Sequence, residues 1–122
     1  MKKGRKVSGG RYKKNRKKKL FENLGQTRNV KLGEEKKRSK RTTGGNWKKF
    51  FLRAKFVNVL GDKNKISRVE IKNVLETPSN RFLARQNIIT KGTIVETELG
   101  KVKITNRPSQ EPVINGILVE GQ

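Results

Sequence analysis

Positive charge is concentrated in the first half of this chain, and that gradient limits what the half can fold into. From Met1 to Arg53 there are 21 Lys/Arg against 3 Asp/Glu, a net of +18; from Ala54 to Gln122 there are 11 against 7, a net of +4, and the two sum to +22. A compact body charged to +18 repels itself, so this half needs a polyanion to settle against, whereas the second half can fold without one. The extreme is the start, where eleven Lys/Arg fall within the first nineteen residues, among them Arg5, Lys6, Arg11, Lys13, Lys14, Arg16, Lys17, Lys18 and Lys19. The stretch to Leu32 has little periodicity, and Gly4, Gly9, Gly10 and Gly25 lie within it. It buries too little apolar surface to offset its ordering entropy, so it is expected to be disordered alone and to serve as a binding arm. Leu20, Phe21, Leu24 and Leu32 are the exceptions that can pin it to something.

Several function classes fall away on composition. The chain has no cysteine and no histidine, which excludes disulfide frameworks, Cys/His zinc sites and Ser-His or Cys-His catalytic pairs. Glu34-Glu35 and Glu96 with Glu98 are the candidate carboxylate pairs, and surface charge balance accounts for both. Lys91-Gly92-Thr93 lacks the upstream glycines of a phosphate-binding loop and reads as a turn. The expectation is a protein without catalysis, cofactor, metal or small-molecule substrate. No apolar run approaches the roughly 20 residues of a bilayer span, and no apolar segment follows the basic start, so a soluble intracellular chain is expected. Lys13 to Lys19 is basic all round with no apolar stripe, which favours nucleic acid over a membrane surface.

The apolar residues concentrate after Trp47, enough for a folded body of roughly 75 residues. Lys36-Lys37-Arg38-Ser39-Lys40-Arg41 reads as a basic strand, Gly44-Gly45-Asn46 as a tight turn, and Trp47 to about Leu60 as one long strand. In that strand Phe50, Leu52, Ala54 and Phe56 share the core side, opposite Arg53 and Lys55. Gly61 to Lys65 is a turn into a strand from Ile66 to Leu75, with Val69, Ile71 and Leu75 on one face. Thr77 as N-cap and Pro78 at the first position predict a short helix through Arg81, Phe82, Leu83 and Arg85, ending by Asn87. Thr93–Glu98, Lys101–Asn106 and Val113–Val119 complete a mainly β pattern: six strands and one short helix, closing into a barrel-like body. The expected division is a basic extension over 1–35 without its own fold and a barrel-like domain over 36–122.

Lys and Arg neutralise phosphates, and glycines beside Arg11 let backbone approach them closely. Tyr12 and Trp47 are candidates for stacking on unpaired bases. Beside the arm, the cations of the predicted hairpin (Lys36, Lys37, Arg38, Lys40, Arg41, Lys48, Lys49) and Arg85 of the helix are candidate RNA contacts.

Several segments occur together in the order of one family: Ser8-Gly9-Gly10-Arg11, Lys31-Leu32-Gly33, Gly44-Gly45-Asn46, Val74 to Arg81, Asn87 to Gly92, Glu96 to Gly100, and Arg107-Pro108-Ser109-Gln110. The sequence resembles the archaeal/eukaryotic-type small-subunit ribosomal protein S-eight-e family, with the short length of archaeal members. The resemblance implies a barrel-like body, a basic extension on small-subunit ribosomal RNA, neighbouring ribosomal proteins as partners, and a structural role in the cytoplasmic small subunit. Matched onto its motifs, Gly9, Gly10, Arg11, Gly44, Gly45, Asn46, Arg53, Arg81 and Arg107 are the implied RNA-facing residues. Phe50-Phe51-Leu52-Arg53 departs from the family's usual Arg-Ala-Leu-Arg, which removes one expected basic contact. Ser109, Glu111 and Pro112 depart from the usual Arg-Pro-Gly-Gln-Asp-Gly loop. The alternative is a free-standing basic protein that compacts DNA or RNA.

Overall fold

Two short stretches of β-branched residues, Val57/Val59 and Val69/Ile71, have the period-2 spacing of strands that bury one face, and they seed a small barrel. The computed structural model describes residues 4–13, 15–61 and 65–119. In chain order the elements are β1 (Val30–Leu32), β2 (Lys36–Arg41), β3 (Trp47–Ala54), β4 (Phe56–Leu60), β5 (Ile66–Glu76), α1 (Arg81–Arg85), β6 (Ile88–Ile89), β7 (Ile94–Thr97), β8 (Gly100–Ile104) and β9 (Asn115–Leu118). They make a closed barrel, β4-β5-β7-β8-β9, and a four-stranded sheet, β2-β3-β1-β6. Parallel pairing of β9 with β4 closes the barrel, so none of its strands is left as an edge.

The mainly β class, the closed barrel and, among the described residues, the single α-helix agree with the sequence. The six expected strands do not: the described residues hold nine, five of them in the barrel. The long strand from Trp47 divides at Lys55 because its two ends belong to different sheets. Crossing between sheets changes which side faces the core. Ala54 and Val57 are both fully buried, and Val57 and Val59 line the barrel core instead of Phe56. Phe56 lies half-buried under two cations, with Arg68 Cζ 4.4 Å and Lys55 Nζ 5.8 Å from its ring centre. A register shift between Ile71 and Asn73 does the same to β5. Val74 therefore completes the buried row begun by Val69 and Ile71, and Leu75 is left 42% exposed.

The helix is capped by Asn80, whose Oδ1 accepts the Phe82 amide at 3.0 Å, and not by Thr77. Asn80 donates its own amide to the Thr77 carbonyl (3.0 Å), so the proline turn precedes the helix. Asn87 ends it at φ 52, a left-handed conformation that asparagine tolerates. Its carbonyl accepts the Leu32 amide at 2.9 Å, which ties the helix exit to β1.

Strands β1 and β6 are too short to show periodicity, yet Val30, Ile88 and Ile89 are buried. Residues 30–32, expected within the extension, thus take part in the sheet, with β1 parallel to β3. One apolar cluster runs through both sheets, from Val30, Phe51 and Ile89 to Val57, Val95 and Ile104. The turn from β4 to β5 is closed by the Gly61 amide on the Lys65 carbonyl (3.0 Å); Asp62, Lys63 and Asn64 of that turn lie outside the described residues. The loop before β9 is organised by Asn106, which donates to Glu111 and the Val113 carbonyl (2.7 Å each) and accepts from the Asn115 amide (2.9 Å).

Closure leaves no room at Gly116. A Cβ there would collide with Val102 Cγ1 and stand 3.1 Å from the Lys103 carbonyl oxygen. Gly116→Ala is expected to lower stability by about 1–3 kcal/mol through overpacking. Urea melts of the full chain measure it; an unchanged midpoint would mean that the β8–β9 seam is looser than its geometry requires.

Candidate nucleic-acid interface

The hairpin β2–β3 presents a dense array of exposed cations on regular strands. Every residue of β2 is exposed and the strand is an edge of its sheet. Edge lysines block pairing with another strand, and here they also form a charged surface. Thr42 closes the turn, donating its amide (2.7 Å) and its hydroxyl (2.9 Å) to the Asn46 carbonyl. Gly44 and Gly45 take φ of 83 and 80, which glycine adopts without strain.

The register then sets like charges face to face: Lys40 opposite Lys48, and Lys36 opposite Arg53. Such pairs are destabilising without an anion between them. Lys37 and Arg38 instead sit opposite Phe51 and Phe50, and Arg41 opposite Trp47, which is 64% exposed. Lys37 Nζ lies 4.9 Å over the Phe51 ring. Glu35 is the nearby carboxylate, reached by Arg68 at 3.0 Å and Lys37 at 3.6 Å. Lys49 is exposed opposite Ser39.

Sequence reasoning missed Arg28. Its guanidinium stacks on Phe50, with Cζ 3.9 Å from the ring centre, and Phe50 is only 3% exposed beneath it. Nothing local to Arg28 marks it, since its partner is 22 residues away in sequence. Around Arg28 open several clefts, one of them shared with Lys91, another missed cation, and with Arg107. Arg81 and Arg85 stand exposed on α1 and line none of these clefts.

Residues 4–13 carry a small hairpin: Arg5 bridges Arg11, the Lys6 amide donates to Gly10 O (2.8 Å), and Gly9 turns at φ 80. Arg5 and Arg11 are another facing like-charge pair, and Lys6 Nζ is 5.7 Å over the Tyr12 ring. Further on, Arg16 forks onto Glu22 at 2.6 and 2.7 Å, and the Lys19 amide donates to the same carboxylate at 3.1 Å. The Arg16 fork, with the Lys19 amide second, holds the Glu22 carboxyl below the usual carboxylate range, and Glu22 raises Arg16. A depressed carboxyl favours this loop closure at neutral pH, and the effect is lost as pH falls through the acid range. Lys13, Lys17 and Lys18 are exposed, and Lys14 lies outside the described residues. Leu20, Phe21 and Leu24 are exposed; of the four apolar residues noted, Leu32 packs on the core.

Among the described residues no group of three or more His, Cys, Asp or Glu gathers to hold a metal, and no helix is long and apolar enough to cross a membrane. What the arrangement can do chemically is bind phosphates and stack on bases.

Comparison with known proteins supplies a family. The model of the ribosomal protein S8e family matches residues 1–119. The chain is 48% identical over 119 residues to the small ribosomal subunit protein eS8 of Staphylothermus marinus, covering 95% of this chain and 92% of that one. It is 43% identical over 117 residues to the protein of the same name from Methanocorpusculum labreanum (95% and 94% covered) and 41% to that of Sulfolobus acidocaldarius (94% and 91%).

The Lys40–Lys48 pairing can be tested without RNA. Lys48→Glu turns repulsion into attraction and is expected to raise the melting temperature of the free protein by about 2–4 °C at low ionic strength. The gain should shrink with added salt. An equal melting temperature at low salt would show that the facing lysines do not repel.

Proposed function

The chain belongs to the ribosomal protein S8e family, and on that premise we propose that it is a structural, non-enzymatic constituent of the small ribosomal subunit that binds ribosomal RNA. Its place is then the cytoplasmic small subunit, in contact with neighbouring ribosomal proteins. The observation that carries the reading is the β2–β3 hairpin, whose register forces Lys40 onto Lys48 and Lys36 onto Arg53 at an exposed edge. A fold that aligns like charges is stabilised by whatever anion bridges them, and RNA phosphates have the required density.

In this reading the chain works in two parts. A long basic extension reaches up to β1 and neutralises phosphates between RNA helices, with Arg5, Lys6, Gly9, Gly10, Arg11, Tyr12 and Lys13 to Lys19 as its contacts. The body docks through the hairpin cations Lys36 to Arg41, the turn Gly44-Gly45-Asn46, Trp47, Lys48, Lys49 and Arg53, with Arg81, Arg85 and Arg107 beside them. Facing cations in the extension, such as Arg5 and Arg11, repel each other without an anion between them, so RNA binding is expected to stabilise its local turns as the subunit assembles.

Sedimentation of cell lysate tests the assignment. The protein is expected to travel with the small subunit and to be released by high salt with low magnesium. Recovery on chromosomal DNA, with none in ribosomal fractions, would support the compacting-protein alternative instead. Removing residues 1–19 is expected to leave the barrel folded while weakening RNA binding and flattening its salt dependence, since each lost phosphate contact removes about one unit of slope. An unchanged slope would refute the role given to the extension.

A further inference from the structure

We infer that the four-stranded sheet carries a track for an unpaired RNA strand, centred on Arg28 where it stacks on Phe50. The inference rests on the ribosomal reading above and adds a site that the family comparison does not assign. Four clefts meet at Arg28. The largest, about 520 Å³, lies between residues 25–29 and β2, with Phe50 and Leu52 among its lining. One of about 230 Å³ leads to Lys91 and Arg107, and one of about 340 Å³ to Phe21, Arg41 and Lys48. A fourth, lined by Gln26, Lys40 and Gln110, shares residues with its neighbours and makes the groove continuous.

The chemistry of the lining favours RNA. No carboxylate among the described residues lines any of the four clefts, although Glu35 neutralises cations on the other side of β2. Cations recur along the whole course, as a polyanion requires. Phe50 lies 3.9 Å beneath the Arg28 guanidinium and restrains it, and a guanidinium can fork across two phosphate oxygens. Lysine can neither fork in this way nor stack as a plane. Neutral donors and acceptors (Gln26, Ser109, Gln110) stand beside the cations and suit base edges and 2′-hydroxyls. At the far end Phe21, 78% exposed, offers a platform for an unstacked base. An acidic peptide would use the cations and the amides but brings no base to stack on the exposed Phe21 ring.

The test uses the full chain, protein-free small-subunit ribosomal RNA and a short oligouridylate, with affinity measured over a range of salt. Arg28→Leu keeps Phe50 covered while removing the charge, and Arg28→Lys keeps the charge while removing the plane. Both are expected to weaken oligouridylate binding, Arg28→Leu by about tenfold and with a loss of about one unit of salt slope. Lys101→Ala, on the barrel's outer surface, is expected to change affinity by less than about twofold. Superimposable melting curves for parent and variants exclude a folding effect. Parent-like binding by Arg28→Lys or Arg28→Leu would overturn the track. If the parent still binds ribosomal RNA, the ribosomal reading survives that result; a parent that fails to bind ribosomal RNA overturns both. Displacement of oligouridylate by polyglutamate at equal charge, as effectively as by ribosomal RNA, would assign the groove to an acidic protein chain and also overturn the proposal.

Discussion

The passage of β3 into β4 through Lys55 is the constraint on which the rest of the molecule depends. It places Phe51 and Ala54 in the four-stranded sheet and Val57 and Val59 in the barrel, within one apolar cluster. At roughly 25 cal/mol per Å² of apolar surface removed from water, a chain this polar cannot sustain two separate cores. Sharing one lets the sheet exist at all. The cationic hairpin can then project from the body because Phe50 and Phe51, at its base, are buried.

Ion pairs contribute little to that placement. Glu35 with Arg68 and Lys37 joins the start of β2 to β5, and Lys55 meets Glu70 at 2.8 Å, but all these groups are substantially exposed. Exposed pairs have a median value of about 0–1 kcal/mol and weaken further with salt. The hairpin is therefore positioned by apolar burial and by its turn, while its charges oppose one another. Glu35 and Glu70 pair with cations of neighbouring segments, and no carboxylate among the described residues lines the groove around Arg28. That segregation separates the surface that holds the protein together from the one left for an anion.

The barrel was legible in the sequence because turn residues separate short apolar strands at regular intervals. β2, β7 and β8 fall where turn residues bound them, and Gly44-Gly45 marks the hairpin through its need for positive φ. What escaped reading has physical causes. β1 and β6 have three and two residues, too few for any period, and their burial comes entirely from partners distant in the chain. The Phe56 phase is reversed by a sheet crossing, marked locally only where Val57 and Val59 take up the alternation, and the Leu75 phase by a register shift that depends on the partner strand. Asn80 outcompetes Thr77 as the cap because the proline turn displaces the helix start by a few residues. Among candidate contacts, the hairpin cations were evident from their density, whereas Arg28 stands apart from any charge run and its partner Phe50 is distant in sequence.

Phe50 brings these threads together. Read as sequence, an aromatic at this position removes a basic contact from the family's usual pattern. In the fold its ring sits at the base of the hairpin, nearly closed off from solvent, and the group that covers it is the Arg28 guanidinium at 3.9 Å. A cation is thus present at Phe50, supplied by the segment that leads into β1 and held against the ring. An arginine held against an aromatic face has already given up much of its conformational freedom, so less is lost when it grips a phosphate. The aromatic that contributes no charge of its own thereby fixes where charge is presented.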